Sequence, residues 1–237
     1  MQKFSPKRRF YVAPALAVCF LLAALFPPAP ARAAEPQGGY SRSFGTADFR
    51  TNQDALKYEI PENGRYKIIP RSRNSTVSTR FPIPDNAWGY REWIVTAKVS
   101  SAEGAGAGVE VRNDEGGYAL LLFPDGSGSM RYYAGKSAVW AAEIKVAGFS
   151  LPARISLTRD VNGSMLGKVN DVIVAARILP LDLKNIDPPP IKSVAFCTSS
   201  PAGRGSAEAV YEGLDVQAWG VKTNRSLFEA PSAPAAE

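Results

Sequence analysis

The sequence contains no histidine at any of its 237 positions. That absence excludes Ser-His-Asp and Cys-His nucleophilic catalysis, and with them histidine-ligated zinc or copper. Cysteine is nearly absent too, with only Cys19 and Cys197. Cys19 follows Val18 inside an apolar run, where a lipid-modification motif would carry Gly or Ala before the cysteine and a mature domain after it. Cys197 closes the apolar stretch Val194-Ala195-Phe196 and reads as a small buried hydrophobe rather than a reactive thiol. Long hydrophobic stretches are missing as well. The run from Ala15 to Phe26 is too short to span a bilayer comfortably. No segment sustains a helical period, no internal repeat is visible, and nothing marks a second domain.

The N-terminal segment reads as an export signal. Lys3, Lys7, Arg8 and Arg9 form a basic region before the apolar run. Pro27, Pro28 and Pro30 then interrupt any helix, and Ala31-Arg32-Ala33 supplies small residues for cleavage after Ala33. The expected organisation is a signal peptide over 1–33, a flexible leader over 34–43, one domain over 44–222, and a disordered Pro- and Ala-rich tail over 223–237. The expected location is periplasmic or extracellular, with no stable membrane insertion after processing. Five of the 28 Lys and Arg residues and none of the 22 Asp and Glu residues precede the cut, which leaves 23 against 22 and a net charge of +1. A nearly neutral domain has no electrostatic case for nucleic acid. A single remaining cysteine allows no internal disulfide, so the core must hold unaided.

Period-two alternation recurs through the rest of the chain. Trp93–Val99, Gly108–Arg112, Met130–Tyr133, Ala153–Arg159, Leu166–Val169, Val172–Ile178, Lys192–Cys197 and Ala209–Trp219 read as strands, and Tyr118–Phe123 as a central strand covered on both faces. Asn113-Asp114-Glu115-Gly116-Gly117, Pro124-Asp125-Gly126 and Asp160-Val161-Asn162-Gly163 supply turns. About ten short strands at this spacing indicate an all-β sandwich.

Several pieces, in colinear order, resemble the concanavalin A-like lectin/glucanase superfamily, especially bacterial laminin-G-like and 3-keto-glycoside-hydrolase-like domains. They are Asn63-Gly64-Arg65-Tyr66, Ala107 to Arg112, Gly117 to Gly126, Lys168-Val169-Asn170-Asp171, and Val194-Ala195-Phe196 through Leu214-Asp215-Val216. The resemblance covers roughly Phe44 to Trp219 and implies a two-sheet antiparallel jelly-roll sandwich with a concave outer surface that binds or cleaves glycans. Asp171 departs from the pattern, which turns on Gly after Asn, and puts that turn in question. The glucanase relatives carry three acids at alternate positions of one strand; here Glu110 is followed by Arg112 instead. Calcium is common in the superfamily, but Asp160 to Gly163 is too short for an EF-hand loop. No cofactor, metal ligand or catalytic residue is assigned.

A candidate binding face follows from hairpin register. A five-residue loop at Asn113–Gly117 would pair Arg112 with Tyr118 and Glu110 with Leu120. A two-residue turn at Asp125-Gly126 would pair Leu120 with Arg131 and Tyr118 with Tyr133. Glu110, Arg112, Tyr118, Arg131 and Tyr133 would then share one face, and Val109, Val111, Ala119 and Leu121 would face the core. Aromatic planes beside polar groups suit a sugar; an ordinary solvated face with a cross-strand ion pair is the plainer reading. Trp88, Tyr90, Trp93, Trp140 and Trp219 read as core packing. The expectation is a non-catalytic recognition module for carbohydrate or another cell-envelope component. The alternatives are a glycoside hydrolase with acids from separate strands, and a structural module contacting other proteins.

Overall fold

The computed structural model describes residues 39–83, 90–113, 116–135, 137–178, 191–201 and 207–222, the side chains of Arg91, Val221 and Lys222 aside. The expected signal peptide, the tail, Trp88 and the Asp114-Glu115 pair lie outside the described residues. No helix among the described residues is long and apolar enough to cross a membrane.

Among the described residues, fifteen strands form two antiparallel sheets. One sheet is built on two long central strands, β6 (Tyr90–Glu103) and β15 (Glu208–Lys222). Beside β6 follow β11 (Ala153–Arg159), β12 (Met165–Val169) and β13 (Val172–Arg177). On the other side of β15 lie β4 (Arg65–Pro70), β3 (Lys57–Glu62) and β2 (Asn52–Gln53), with β1 (Tyr40–Phe44) pairing a different stretch of β15. The second sheet runs β10 (Ser137–Lys145), β9 (Ser127–Ala134), β8 (Gly116–Leu122), β7 (Gly106–Arg112), β14 (Ser193–Ser200) and β5 (Ser75–Pro82). The expected all-β, two-sheet jelly-roll sandwich is therefore the observed fold. Tyr40 to Ser43, expected in the flexible leader, instead pair with Ala218 to Asp215 of β15.

The core lies between the sheets because alternate residues of each strand point inward. Val95, Ala97 and Val99 of β6, Ile155 and Leu157 of β11, and Leu214 and Val216 of β15 face Val109, Val111, Leu120, Leu122, Val194 and Phe196 of the other sheet. Trp93 is buried there, and Tyr90 and Trp140 pack against the cluster. One end of the core is aromatic. Phe44, Phe49, Tyr66, Phe81, Phe196 and Tyr211 make ring contacts with centroids 4.2–6.4 Å apart. Tyr211 also ties the sheets together. From β15 its hydroxyl donates to the Cys197 carbonyl (2.8 Å), shares a hydrogen bond with Thr198 Oγ1 (2.9 Å) and accepts from the Gly108 amide (3.3 Å).

The turn at Asp171 forms despite its departure from the family pattern. Val169 pairs with Val172, and Asn170 and Asp171 both adopt left-handed backbone (φ 47° and 68°), as a two-residue type I′ hairpin requires. Asn63-Gly64 makes the same kind of turn with the preferred glycine in second place (φ 50° and 77°). An L side chain in this region carries a steric cost. Asp171→Gly is therefore expected to raise stability by about 0.5–1 kcal/mol, because the lost Arg154 contact is long (3.9 Å) and exposed. Urea unfolding midpoints of the two proteins check this; a lower midpoint for the glycine variant would contradict it.

Candidate functional site

Both hairpins that set the candidate face differ by one residue from the expected register. Asn113 donates its amide to the Gly116 carbonyl and accepts the Gly116 amide on its side-chain oxygen (2.9 and 2.8 Å). Strand β8 consequently begins early, and Arg112 pairs with Gly117, Val111 with Tyr118, and Glu110 with Ala119. At the next turn Pro124 pre-sets its own φ, the Gly126 amide closes onto the Phe123 carbonyl, and Gly126 adopts φ 78°. This is a three-residue loop ending in a left-handed glycine rather than a two-residue Asp-Gly turn. It pairs Gly117 with Tyr133, Tyr118 with Tyr132 and Ala119 with Arg131.

The two slips cancel for β9 but not for β8, because each one-residue shift exchanges the faces of a strand. Glu110, Arg112, Arg131 and Tyr133 do share the outer face of the six-stranded sheet. Tyr118 does not; it points to the opposite face. There it packs against Tyr132 (centroids 4.8 Å apart), and its hydroxyl accepts from Arg177 Nη1 (2.8 Å). The Arg177 guanidinium also lies over Tyr132 and Trp140, at 4.4 and 5.5 Å from the ring centroids, so these rings close one edge of the sandwich against β13. Ala119 and Leu121 are likewise moved from the expected core face to the outer face, where they form a small buried cluster with Cys197, against which Tyr133 packs. Val109 and Val111 are in the core as expected.

At the centre of the outer face sits Glu110, a carboxylate only 3% exposed. Its Oε1 accepts from Arg112 Nε (2.6 Å) and, at longer range, Arg80 Nη2 (3.4 Å); its Oε2 accepts from Ser78 Oγ (2.8 Å). The Arg112 guanidinium lies over the Tyr133 ring, 5.0 Å from its centroid, and Nη1 donates to the Gly135 carbonyl. Arg131 is anchored by Nε on Ser129 Oγ (3.0 Å). One cross-strand row reads Arg80, Ala195, Glu110, Ala119, Arg131, Ala141. Its neighbour reads Ser193, Arg112, Gly117, Tyr133, Ala138. Small residues thus form the floor, and the arginines and Tyr133 stand above it. The plain solvated ion pair is replaced by a buried carboxylate held by three donors.

Ser78 and Arg80 escaped the sequence reading, although β5 carries a clear signal. Val77, Thr79 and Phe81 alternate with Ser78 and Arg80, and the former are buried. Arg80 also lines a cavity of about 550 Å³ at the free edge of β5, with Arg42, Asp48, Arg50, Glu59, Tyr66 and Thr79 among its walls. Glu59 is buried there, bonded to Thr79 Oγ1 and paired with Lys57 (2.5 Å). Burial, then the Glu59 charge, pushes the Tyr66 hydroxyl well above its ordinary pKa. Glu59 and Glu110 engage adjacent residues of β5, Thr79 and Ser78, whose side chains project to opposite faces, so the two carboxylates do not converge.

Cys197 lies under this face, fully buried. Burial first, and the nearby Glu110 carboxylate second, push its thiol far above the ordinary range. The expected result is that a maleimide or disulfide reagent leaves Cys197 unmodified in folded protein and modifies it in denaturant. Rapid modification under native conditions would contradict this burial. Among the described residues no group of three or more Cys, Asp or Glu converges to hold a metal ion.

No family model matches the chain, and no curated protein matches it. Similar solved structures include an endo-β-1,3-glucanase from Pyrococcus furiosus, 8% identical over 79% of this chain and 92% of that chain, with a TM-score of 0.46. A β-1,3-1,4-glucanase (lichenase) derived from a mouse hindgut metagenome is 9% identical over 74% of this chain and 98% of that chain, TM-score 0.45. The catalytic domain of a laminarinase from Thermotoga petrophila is 13% identical over 73% and 82%, TM-score 0.45. At these identities and scores the likenesses carry no argument about activity.

Proposed function

We propose that the chain is an exported, non-catalytic recognition module that binds carbohydrate, as a free glycan or a cell-envelope component, on the outer face of its six-stranded sheet. The observation that carries this reading is the organised polar-aromatic face around Glu110. A sugar offers hydroxyls to fixed charged groups and a CH face to a ring. Here Ser78 and Arg112 fix the carboxylate, and the same Arg112 lies over the Tyr133 ring. Preorganisation of this kind lowers the entropic cost of binding. The colinear lectin-like motifs support the same ligand class.

A glycosidase needs two carboxyls about 5–9.5 Å apart across the scissile bond. Among the described residues, Glu143 of β10 is the other acid in register with this face, opposite Ser129. Three strand spacings separate it from Glu110, about 14 Å. This spacing favours recognition over hydrolysis.

The test is a glycan array followed by titration of the best ligand. Tyr133→Ala is expected to weaken binding by about 1–3 kcal/mol while the protein stays folded. Val111→Ala, one position from Arg112 but in the core, is expected to lower stability by roughly 1–3 kcal/mol and leave affinity unchanged. Arg112→Ala is a poorer probe, since it strips a buried carboxylate of its nearest partner. A confirmed glycan whose affinity ignores Tyr133→Ala would remove the face from the account. Release of reducing ends from β-glucans would replace recognition with hydrolysis.

A further inference from the structure

The face around Glu110 carries more positive than negative charge. Arg80, Arg112 and Arg131 stand against two acids, Glu110 at the centre and Glu143 on β10, and Arg112 is committed to Glu110 at 2.6 Å. Arg80 is more loosely held, 3.4 Å from Glu110 with its side chain 54% exposed. Arg131 has no acid within ion-pair distance among the described residues; its one hydrogen bond uses Nε, which leaves both Nη groups as open donors. The adjoining cavity has the same bias. Arg42 pairs with Asp48 and Lys57 with Glu59, while Arg50, whose charge is also felt by Asp48, donates to the carbonyls of Ala47 and Phe49 and has no acid within ion-pair distance among the described residues. Arg80 belongs to both the cavity and the face.

We propose that the glycan bound here is anionic, carrying carboxylate or sulphate groups, with Arg131 and Arg80 as its charge receptors. This rests on the reading of the face as a carbohydrate site and names the class of sugar. Arg80 and Arg131 stand in one cross-strand row, with Ala195, Glu110 and Ala119 between them. Four strand spacings separate their backbones, about 19 Å. An extended chain laid across the strands meets a guanidinium on either side of Glu110 along that row and the Tyr133 ring beside it. Guanidinium presents paired N–H donors that match the geometry of a carboxylate or sulphate. Glu110, saturated by Ser78 and Arg112, is set low among alanines and does not oppose an anion held above it.

The experiment is calorimetric titration of the purified protein with four probes: hexagalacturonate, its methyl ester, a heparin-derived hexasaccharide, and laminarihexaose. Duplex DNA is the control for unspecific polyanion binding. At least one anionic sugar is expected to bind tenfold or more tighter than both neutral ones, with affinity falling as salt rises. Arg131→Gln is expected to remove that preference, and Arg80→Gln to reduce it severalfold, with melting temperatures unchanged. Equal affinity for neutral and anionic sugars, sensitive to Tyr133→Ala but not to Arg131→Gln, would overturn anionic selectivity and leave the carbohydrate site standing. DNA binding as tight as the sugars, or anionic binding indifferent to Arg131→Gln, would overturn the assignment of the receptors. No binding of any sugar would overturn both readings.

Discussion

Gly108→Ala is expected to destabilise the protein by on the order of 3–5 kcal/mol, enough to lower its melting temperature by about 10 °C or to prevent soluble expression. A methyl group at this position would stand 1.8 Å from the Leu120 carbonyl oxygen and 2.8 Å from its carbon. Those are backbone atoms of β8, so relief requires moving the β7–β8 pairing rather than rotating a side chain. Gly108 is also where Tyr211 reaches across the sandwich to the six-stranded sheet, and it lies opposite Cys197 on β14. Movement there disturbs both neighbouring strands and the floor beneath Glu110. Thermal melts of the two proteins check this. A melting temperature within 2–3 °C of the parent would contradict the close approach.

Tyr211→Phe is the second large expectation, a loss of about 2–3 kcal/mol. The ring remains stacked on Phe196, centroids 4.2 Å apart, so apolar burial is nearly unchanged. What disappears is one hydroxyl that donates to Cys197 O and is bonded to Thr198 Oγ1 and the Gly108 amide. All of these groups are buried, and each partner abandoned in a water-free interior costs more than an exposed hydrogen bond yields. Burial holds this phenol far above its ordinary pKa, against the lowering effect of its hydrogen bonds to Thr198 and Gly108, so it stays protonated across the physiological range. Urea unfolding at neutral pH measures the loss. A change below 0.5 kcal/mol would mean that the two sheets are held by packing alone.

Much of the fold is legible in local pattern, because inward and outward residues alternate along each strand. Val109 and Val111, Val95 and Ala97, and Leu214 and Val216 all occupy the core that their spacing indicates. Register is harder, since it depends on turn chemistry at single residues. Pro124 converts an Asp-Gly pair into the end of a three-residue loop, and Asn113 pairs back to Gly116. Each effect moves the ladder by one, and Tyr118 changes face as a result. The long-range part is not legible locally. Nothing in Ser75–Pro82 indicates that β14 will bring Ser78 and Arg80 alongside Glu110, 32 and 30 positions away in sequence. The small net charge of residues 34–237, 23 Lys and Arg against 22 Asp and Glu, likewise conceals the local surplus of arginine on one face.

The central claim is that ligand is held on the outer face of the six-stranded sheet, above its alanine floor. Methyl NMR of alanine-labelled protein, titrated with the tightest-binding sugar from the glycan array, tests it most directly. Ala119 and Ala195 form the floor on either side of Glu110, and Ala141 continues the row beyond Arg131. Ala97, Ala107 and Ala209 are buried between the sheets. The account predicts that the first three methyl signals shift with a common dissociation constant while the second three stay in place. Shifts confined to Ala97, Ala107 and Ala209, or saturation binding that moves none of Ala119, Ala141 and Ala195, would contradict it.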